Sequence, residues 1–230
     1  MQPTINRRLT AVSEFIRQGS VLGDIGTDHA YLPVYLVSKG VCVRAIAADI
    51  NKGPLLRAKQ NISSYGLSDK IETVLTDGLH GIEHLGVTDI AICGMGGELI
   101  AKILDEAPFT ASGNIRLILQ PMTKADFLRS FLLSHGYAIK DETLVRDDRI
   151  YQVICAEYTG ESTEYSPIEL LLGRHNINAR SSLLAEFAQN TLSATVTKRE
   201  GRASAGLSTE TEDALIAALS DVIKNSTRKE

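Results

Sequence analysis

The chain has 230 residues, of which 43% are hydrophobic and 23% charged, an ordinary globular composition with room for one large domain or a domain plus an appendage. No apolar run approaches the ~18 residues of a membrane span, and the opening MQPTINRRLTAV lacks a secretory core, so a cytoplasmic protein is expected. The net charge of −4 does not advertise nucleic-acid binding, though a local basic patch would suffice, and Cys42, Cys93 and Cys155 read as reduced core cysteines, not as a disulfide frame or a metal site.

Arg7 and Arg8 open a short amphipathic helix with Leu9, Val12, Phe15 and Ile16 at helical spacing. Cations are badly placed at a helix start. They read either as solvated charge or as an arginine meeting a carboxylate or phosphate at the mouth of a site.

The stretch 21–33, VLGDIGTDHAYLP, is the centre of the chain. It reads as a buried strand, a tight turn at Gly26, and a helix whose start faces a ligand. A dinucleotide site wants glycines and a bare helix N-terminus there for pyrophosphate. Asp24 and Asp28 put carboxylates in that place instead. They repel phosphate and suit a ligand with an ammonium, a sulfonium and a ribose, which is S-adenosylmethionine. The competing reading is an aspartate capping an ordinary turn.

Strand and helix then alternate. Residues 41–50 form a strand ending in Asp49, and 52–65 a helix stopped by Gly66. Residues 71–76 form a third strand ending at Asp77-Gly78, and 89–93 a fourth ending in the Gly94-Met95-Gly96-Gly97 turn. Helix 98–105, strand 115–119 ending at Gln120-Pro121, and helix 123–135 follow. Residues 143–146 and 151–158 look like an antiparallel pair. The pattern predicts an α/β fold: a Rossmann-like, mostly parallel sheet with an antiparallel edge pair. Ligands in such sheets bind at the carboxyl ends of the strands, where the polar punctuation lies. Asp49 is placed for a ribose diol, but the same layout occurs in NAD sites, so the choice of cofactor rests on the first turn. Asp77 suits an adenine amine, and Gly78 leaves room for the base.

After Gly160 the grammar changes. Ser166-Pro167-Ile168-Glu169 is a helix start with a capping box. Apolar stripes, interrupted near 175–179, continue through Leu183, Phe187 and Leu192 and later Leu215, Leu219 and Val222. They predict a helical, coiled-coil-like hairpin over 166–230. Its basic residues, Arg228 and Lys229 among them, are balanced by acidic ones. Lys198, Arg199 and Arg202 cluster near the turn, as an RNA-phosphate contact or as a solvated tip.

Together R-R-L at 7–9, D-I-G-T-D-H-A-Y-L-P at 24–33, A-D-I at 48–50, T-D-G-L at 76–79, G-M-G-G at 94–97 and Q-P-M at 120–122 resemble the bacterial tRNA (adenine(22)-N1)-methyltransferase family. The resemblance spans essentially the whole chain. It implies a class I methyltransferase domain over 1–160, a tRNA-contacting hairpin over 161–230, and methyl transfer from S-adenosylmethionine to N1 of an adenine in tRNA. It carries the donor role to Asp24, Gly26, Asp28, Asp49, Asp77 and Gly94. Arg8, Thr27, Ile50 and Gly78 join them from the same motifs. The acceptor side is assigned to Tyr31, Met95, Gly96, Gly97, Gln120 and Pro121, with Lys198, Arg199 and Arg202 for RNA. Asp28 or His29 is the candidate to accept a proton from the exocyclic amine, and Asp28 serves the donor ammonium equally well. No metal is expected, and the oligomeric state stays open. Two other readings stand beside this one: a methyltransferase for a small molecule or protein, and a non-catalytic NAD-binding module.

Overall fold

The computed structural model describes residues 3–227; Arg228 and Lys229 lie outside the described residues. The alternating apolar runs become the parallel strands Ser20–Ile25 (β1), Cys42–Asp49 (β2), Ile71–Leu75 (β3), Asp89–Gly96 (β4) and Arg116–Thr123 (β5). Tyr137–Arg146 (β6) and Ile150–Tyr158 (β7) complete a seven-stranded sheet in the order β3-β2-β1-β4-β5-β7-β6. β7 is antiparallel to both its neighbours. The expected antiparallel edge pair is therefore present, with β7 inserted inside β6. The strand order reverses between β1 and β4, which opens a crevice at their carboxyl ends.

Both faces of the sheet are covered. Arg7–Ser13 (α1), Tyr31–Ser38 (α2) and Lys52–Ser64 (α3) bury Val12, Leu32, Leu36, Ala58 and Ile62 against one face. Gly97–Asp105 (α4) and Ala125–Ser134 (α5) bury Ile100, Leu104, Leu128 and Leu132 against the other. Adjacent strand residues alternate between these layers, Ile90 and Ile92 to one side and Ala91 to the other. That is why the central strands read as unbroken apolar runs.

Three elements depart from the sequence reading. β4 runs through Gly96, so Gly-Met-Gly-Gly is the end of a strand and the first residue of α4, not a free turn. β5 runs through Gln120 and Pro121 to Thr123. Proline is tolerated there because β7 ladders with β5 only as far as Leu119. β6 begins at Tyr137 and not near 143, since a register shift between Ile139 and Asp141 breaks its alternation.

The tail also differs. Pro167–Leu172 (α6) and Arg174–Ala179 (α7) are short helices, separated at Gly173, whose φ of 87° favours glycine. The expected capping box is present, the Glu169 carboxylate accepting from the Ser166 N–H at 2.8 Å. The hairpin proper is Leu184–Ser204 (α8) and Glu210–Thr227 (α9). It buries Leu184, Ala188 and Leu219 with Leu144 of β6 and Leu172 of α6. A buried arginine ties the short helices to the sheet. Arg129 of α5 donates to Glu142 at 2.6 Å, to Gln152 at 2.6 Å and to the Leu170 carbonyl at 2.7 Å. Among the described residues no helix is long and apolar enough to cross a membrane.

Candidate active site

Two adjoining cavities lie at the β1–β4 crevice. The first, about 380 Å³, is lined by Arg8, Asp24, Gly26, Thr27, Asp28, Tyr31 and Gly94, with Asn6, Leu9, Leu32 and Cys93. The second, about 390 Å³, is lined by Asp49, Ile50, Asp77, Gly78 and Met95, and by Asn51, Thr76, Leu99 and Ile103. Gly26, Cys93 and Gly94 border both.

The turn after β1 is pinned by two N–H donors, Gly26 and Thr27, to the Ala48 carbonyl at 2.8 and 2.9 Å. At Gly26, φ is +74°, and an added Cβ would fall 2.1 Å from Met95 Cε. Glycine is thus required twice, by conformation and by the close approach of Met95. Helix α2 is capped by Ala30 in the left-handed region, with no side-chain cap. Asp28 therefore does not cap the helix. Its exposed carboxylate meets Arg57 at 3.0 Å and lies 3.6 Å from His29 Nε2. His29 and Ala30 both have positive φ, 61° and 51°, and Asn61 holds the strained turn by donating to the His29 carbonyl at 2.7 Å. The His29 ring stacks on Tyr31 at 5.2 Å.

Asp24 is buried at the end of β1. Burial pushes its carboxyl up to about 6, the Thr27 hydroxyl and then the Arg8 guanidinium pulling it back and the Asp49 charge adding to the rise. The Thr27 hydroxyl is buried beside the Asp24 carboxylate on the wall of the first cavity. Asp49 stands at the end of β2, one oxygen accepting from the Asn51 N–H at 2.7 Å and the other left for a ligand. Cys93 lies between the cavities, and burial pushes its thiol up, so it is a neutral wall and not a nucleophile.

Gln120 is the residue that joins the pieces. Fully buried in β5, its side-chain oxygen accepts from Arg8 at 2.5 Å and from the Gly94 N–H at 3.2 Å. Its Nε2 donates to the Pro121 carbonyl at 3.0 Å.

A protein-family model described as a methyltransferase domain matches residues 5–154. The tRNA (adenine(22)-N(1))-methyltransferase of Bacillus subtilis (strain 168) is 40% identical over 170 residues, which are 74% of this chain and 71% of that protein. The chain belongs to the tRNA (adenine(22)-N1)-methyltransferase family. The crystal structure of the B. subtilis M1A22 tRNA methyltransferase TrmK matches with a TM-score of 0.81 at 33% identity, covering 97% of this chain and 99% of that one. M. capricolum TrmK, in complex with S-adenosylhomocysteine, matches with a TM-score of 0.78 at 28% identity, covering 96% and 97%.

Of the residues singled out in the sequence, the two cavities gather Arg8, Asp24, Gly26, Thr27, Asp28, Tyr31, Asp49, Ile50, Asp77, Gly78, Gly94 and Met95. His29 lies beside them on Tyr31, and Gln120 and Pro121 beneath Arg8 and Gly94. Gly96 and Gly97 line neither cavity. An added Cβ at Gly97 would stand 2.1 Å from the Lys124 carbonyl oxygen, so this glycine serves the close packing of the starts of α4 and α5. Lys198, Arg199 and Arg202 sit on α8 and are already paired. Lys198 and Arg202 reach Glu212 at 2.9 and 3.3 Å, and Arg199 reaches Asp213 at 2.9 Å. Asn51 and Cys93, which line the cavities, and Arg57, which meets Asp28, were not singled out as site residues from the sequence. Asn51 was findable, two residues past Asp49; the others carry no local signal.

Proposed function

We propose that this protein transfers the methyl group of S-adenosylmethionine to N1 of adenine 22 in tRNA. The observation that carries the proposal is the acidic crevice. Asp24, Asp49 and Asp77 stand in order at or just beyond the ends of three strands around a continuous pair of cavities, with no phosphate-binding glycine turn. Such a site suits a ligand that is cationic and hydroxylated and carries no phosphate. The residues fit the donor along its length. Asp24, with the Thr27 hydroxyl beside it, holds the ammonium end, and Arg8 faces its carboxylate. Asp49 accepts from the ribose diol, Ile50 and Gly78 border the base, and Asp77 accepts from the adenine amine.

Bound S-adenosylmethionine supplies an electrophilic methyl, which the lone pair of adenine N1 displaces from sulfur. The chain's own task is then largely orientation. Tyr31, exposed and stacked on His29, offers an aromatic shelf to the target base, with Met95 across the crevice and the buried Gln120 and Pro121 behind its wall. Asp28 is held in place by Arg57 and faces the cationic product, where a carboxylate stabilises the developing charge. Asp28 or His29 accepts the exocyclic-amine proton. Residues 161–230 serve as the RNA-contacting unit, and the tRNA substrate places the enzyme in the cytoplasm.

The test is label transfer from S-adenosylmethionine to two tRNA transcripts that differ only at position 22. Transfer to the adenine transcript and none to the guanine transcript supports the proposal. Equal transfer to both, or none to either while S-adenosylhomocysteine binds, rejects it.

A further inference from the structure

Arg149 lies in the turn between β6 and β7. Because β6 runs parallel to β5, this turn is on the same edge of the sheet as Gly94 and Gln120. The exposed guanidinium is held in place by soft contacts. It lies 4.9 Å from the centre of the Tyr151 ring, and Nη2 donates to the Met122 thioether at 3.6 Å. Tyr151 is itself fixed, buried and donating to Asp148 at 2.7 Å. Arg8, which lines the first cavity, faces the same ring at 5.7 Å.

No carboxylate among the described residues lies within ion-pair distance of Arg149; Asp148 beside it takes the Tyr151 hydroxyl, which with a weaker pull from the Arg149 charge holds its carboxyl below the usual range. A guanidinium has five N–H donors, and a thioether is a weak acceptor. Arg149 is thus a localised cation with most of its donors unspent, beside the mouth of the site. The hairpin-tip cations are the opposite case, their charges met by Glu212 and Asp213.

We propose that Arg149 grips a backbone phosphate of the RNA next to the target nucleotide and so sets that nucleotide over Gly94. The planar fork suits bidentate phosphate binding, and the Tyr151 face lowers the entropy lost on contact. This rests on the tRNA reading above.

The experiment measures binding of an unmodified tRNA transcript across a salt series. It compares wild type, Arg149→Ala, Arg149→Lys and, as a control, Lys70→Ala, an exposed cation at the other edge of the sheet. S-adenosylhomocysteine affinity is measured for each by calorimetry. Arg149→Ala is expected to lose about tenfold in tRNA affinity and to flatten the log–log salt slope by about 0.7–0.9, the value of one phosphate contact. Arg149→Lys recovers the slope and only part of the affinity, while Lys70→Ala and all donor affinities stay at wild type. Wild-type affinity and slope in Arg149→Ala overturn the assignment. An equal loss of S-adenosylhomocysteine affinity also overturns it, since the effect is then on the donor cavity. A wild-type protein that binds S-adenosylhomocysteine but no tRNA overturns the substrate reading and this one with it.

Discussion

Arg8 Nη1 donates to Gln120 Oε1 at 2.5 Å, joining residues 112 positions apart in the sequence. The same oxygen takes the Gly94 N–H at 3.2 Å. One buried amide therefore fixes the amino-terminal helix, the end of β4 and the wall of the first cavity together. Gln120→Ala leaves the Gly94 N–H and the Arg8 guanidinium without this partner. Arg8 is half-buried and Gly94 exposed, so each unmet group costs toward the low end of about 1–3 kcal/mol. Thermal melting should fall accordingly, and calorimetry should show about a tenfold loss of S-adenosylmethionine affinity. Unchanged donor affinity would detach Arg8 and Gly94 from the donor site.

Asp49 bonds one backbone N–H and offers its other oxygen to the second cavity. Asp49→Ala removes a hydrogen bond to a charged group, about 1.5–3 kcal/mol, or roughly ten- to a hundred-fold in donor affinity. Circular dichroism should show an intact fold. Unchanged affinity in calorimetry removes Asp49 from the site.

Asp24 gives the pH dependence. Its carboxyl titrates near about 6 in the folded protein against 3.8 in a free chain. Between those values the folded state holds the extra proton, so the contribution of Asp24 to ligand-free stability is present at low pH and is lost as pH rises through about 6. The full shift corresponds to about 3 kcal/mol. Asp24→Asn should therefore gain on wild type in melting experiments between about pH 4 and pH 7. Donor binding runs the other way, because pairing with the ammonium requires the carboxylate. Wild-type affinity should rise with pH up to about 6 and then level off, and Asp24→Asn should show a flat profile. A wild-type profile without a break near 6 would contradict the ammonium contact.

Arg129 and Glu142 form a fully buried ion pair that also holds the Leu170 carbonyl and the His175 N–H. Removing one partner strands a buried charge, a loss of about 3–5 kcal/mol. Arg129→Ala should lower the melting temperature and speed proteolysis in the 160–180 segment. Arg129→Met with Glu142→Leu should recover much of the melting temperature. Failure of the double variant to recover would give the pair a role beyond balancing charge.

The hairpin cluster supplies a further test. Lys198, Arg199 and Arg202 are exposed although paired, so each keeps donors for RNA. Changing all three to Gln should weaken tRNA binding severalfold and flatten its salt dependence. Because Glu212, 3% exposed, then loses both its cations, Arg199→Gln alone is measured beside it and should show a smaller change of the same sign with helix content unchanged. An unaltered salt slope would make them internal ties of the hairpin alone.

The sheet was largely legible because buried parallel strands read as apolar runs ending in polar residues, as at Asp24 and Asp49. The residues that the β1–β4 crevice gathers were legible for the same reason. What was hidden depends on register between distant strands. Nothing local says that β4 continues through Gly-Met-Gly or that Gln120 points back at Gly94. Both follow from the irregular β4–β5 pairing around Met95. Arg129 looks like an ordinary surface charge on an amphipathic helix until α6 folds over it. The partners of Lys198, Arg199 and Arg202 lie on the other arm of the hairpin, beyond the reach of a local reading.

The central claim is the atom that receives the methyl group. Unmodified tRNA is incubated with the protein and labelled S-adenosylmethionine, then digested to nucleosides and separated by mass spectrometry. The label should run as N1-methyladenosine. Label in N6-methyladenosine or in a nucleoside other than adenosine, with the tRNA intact, would contradict it.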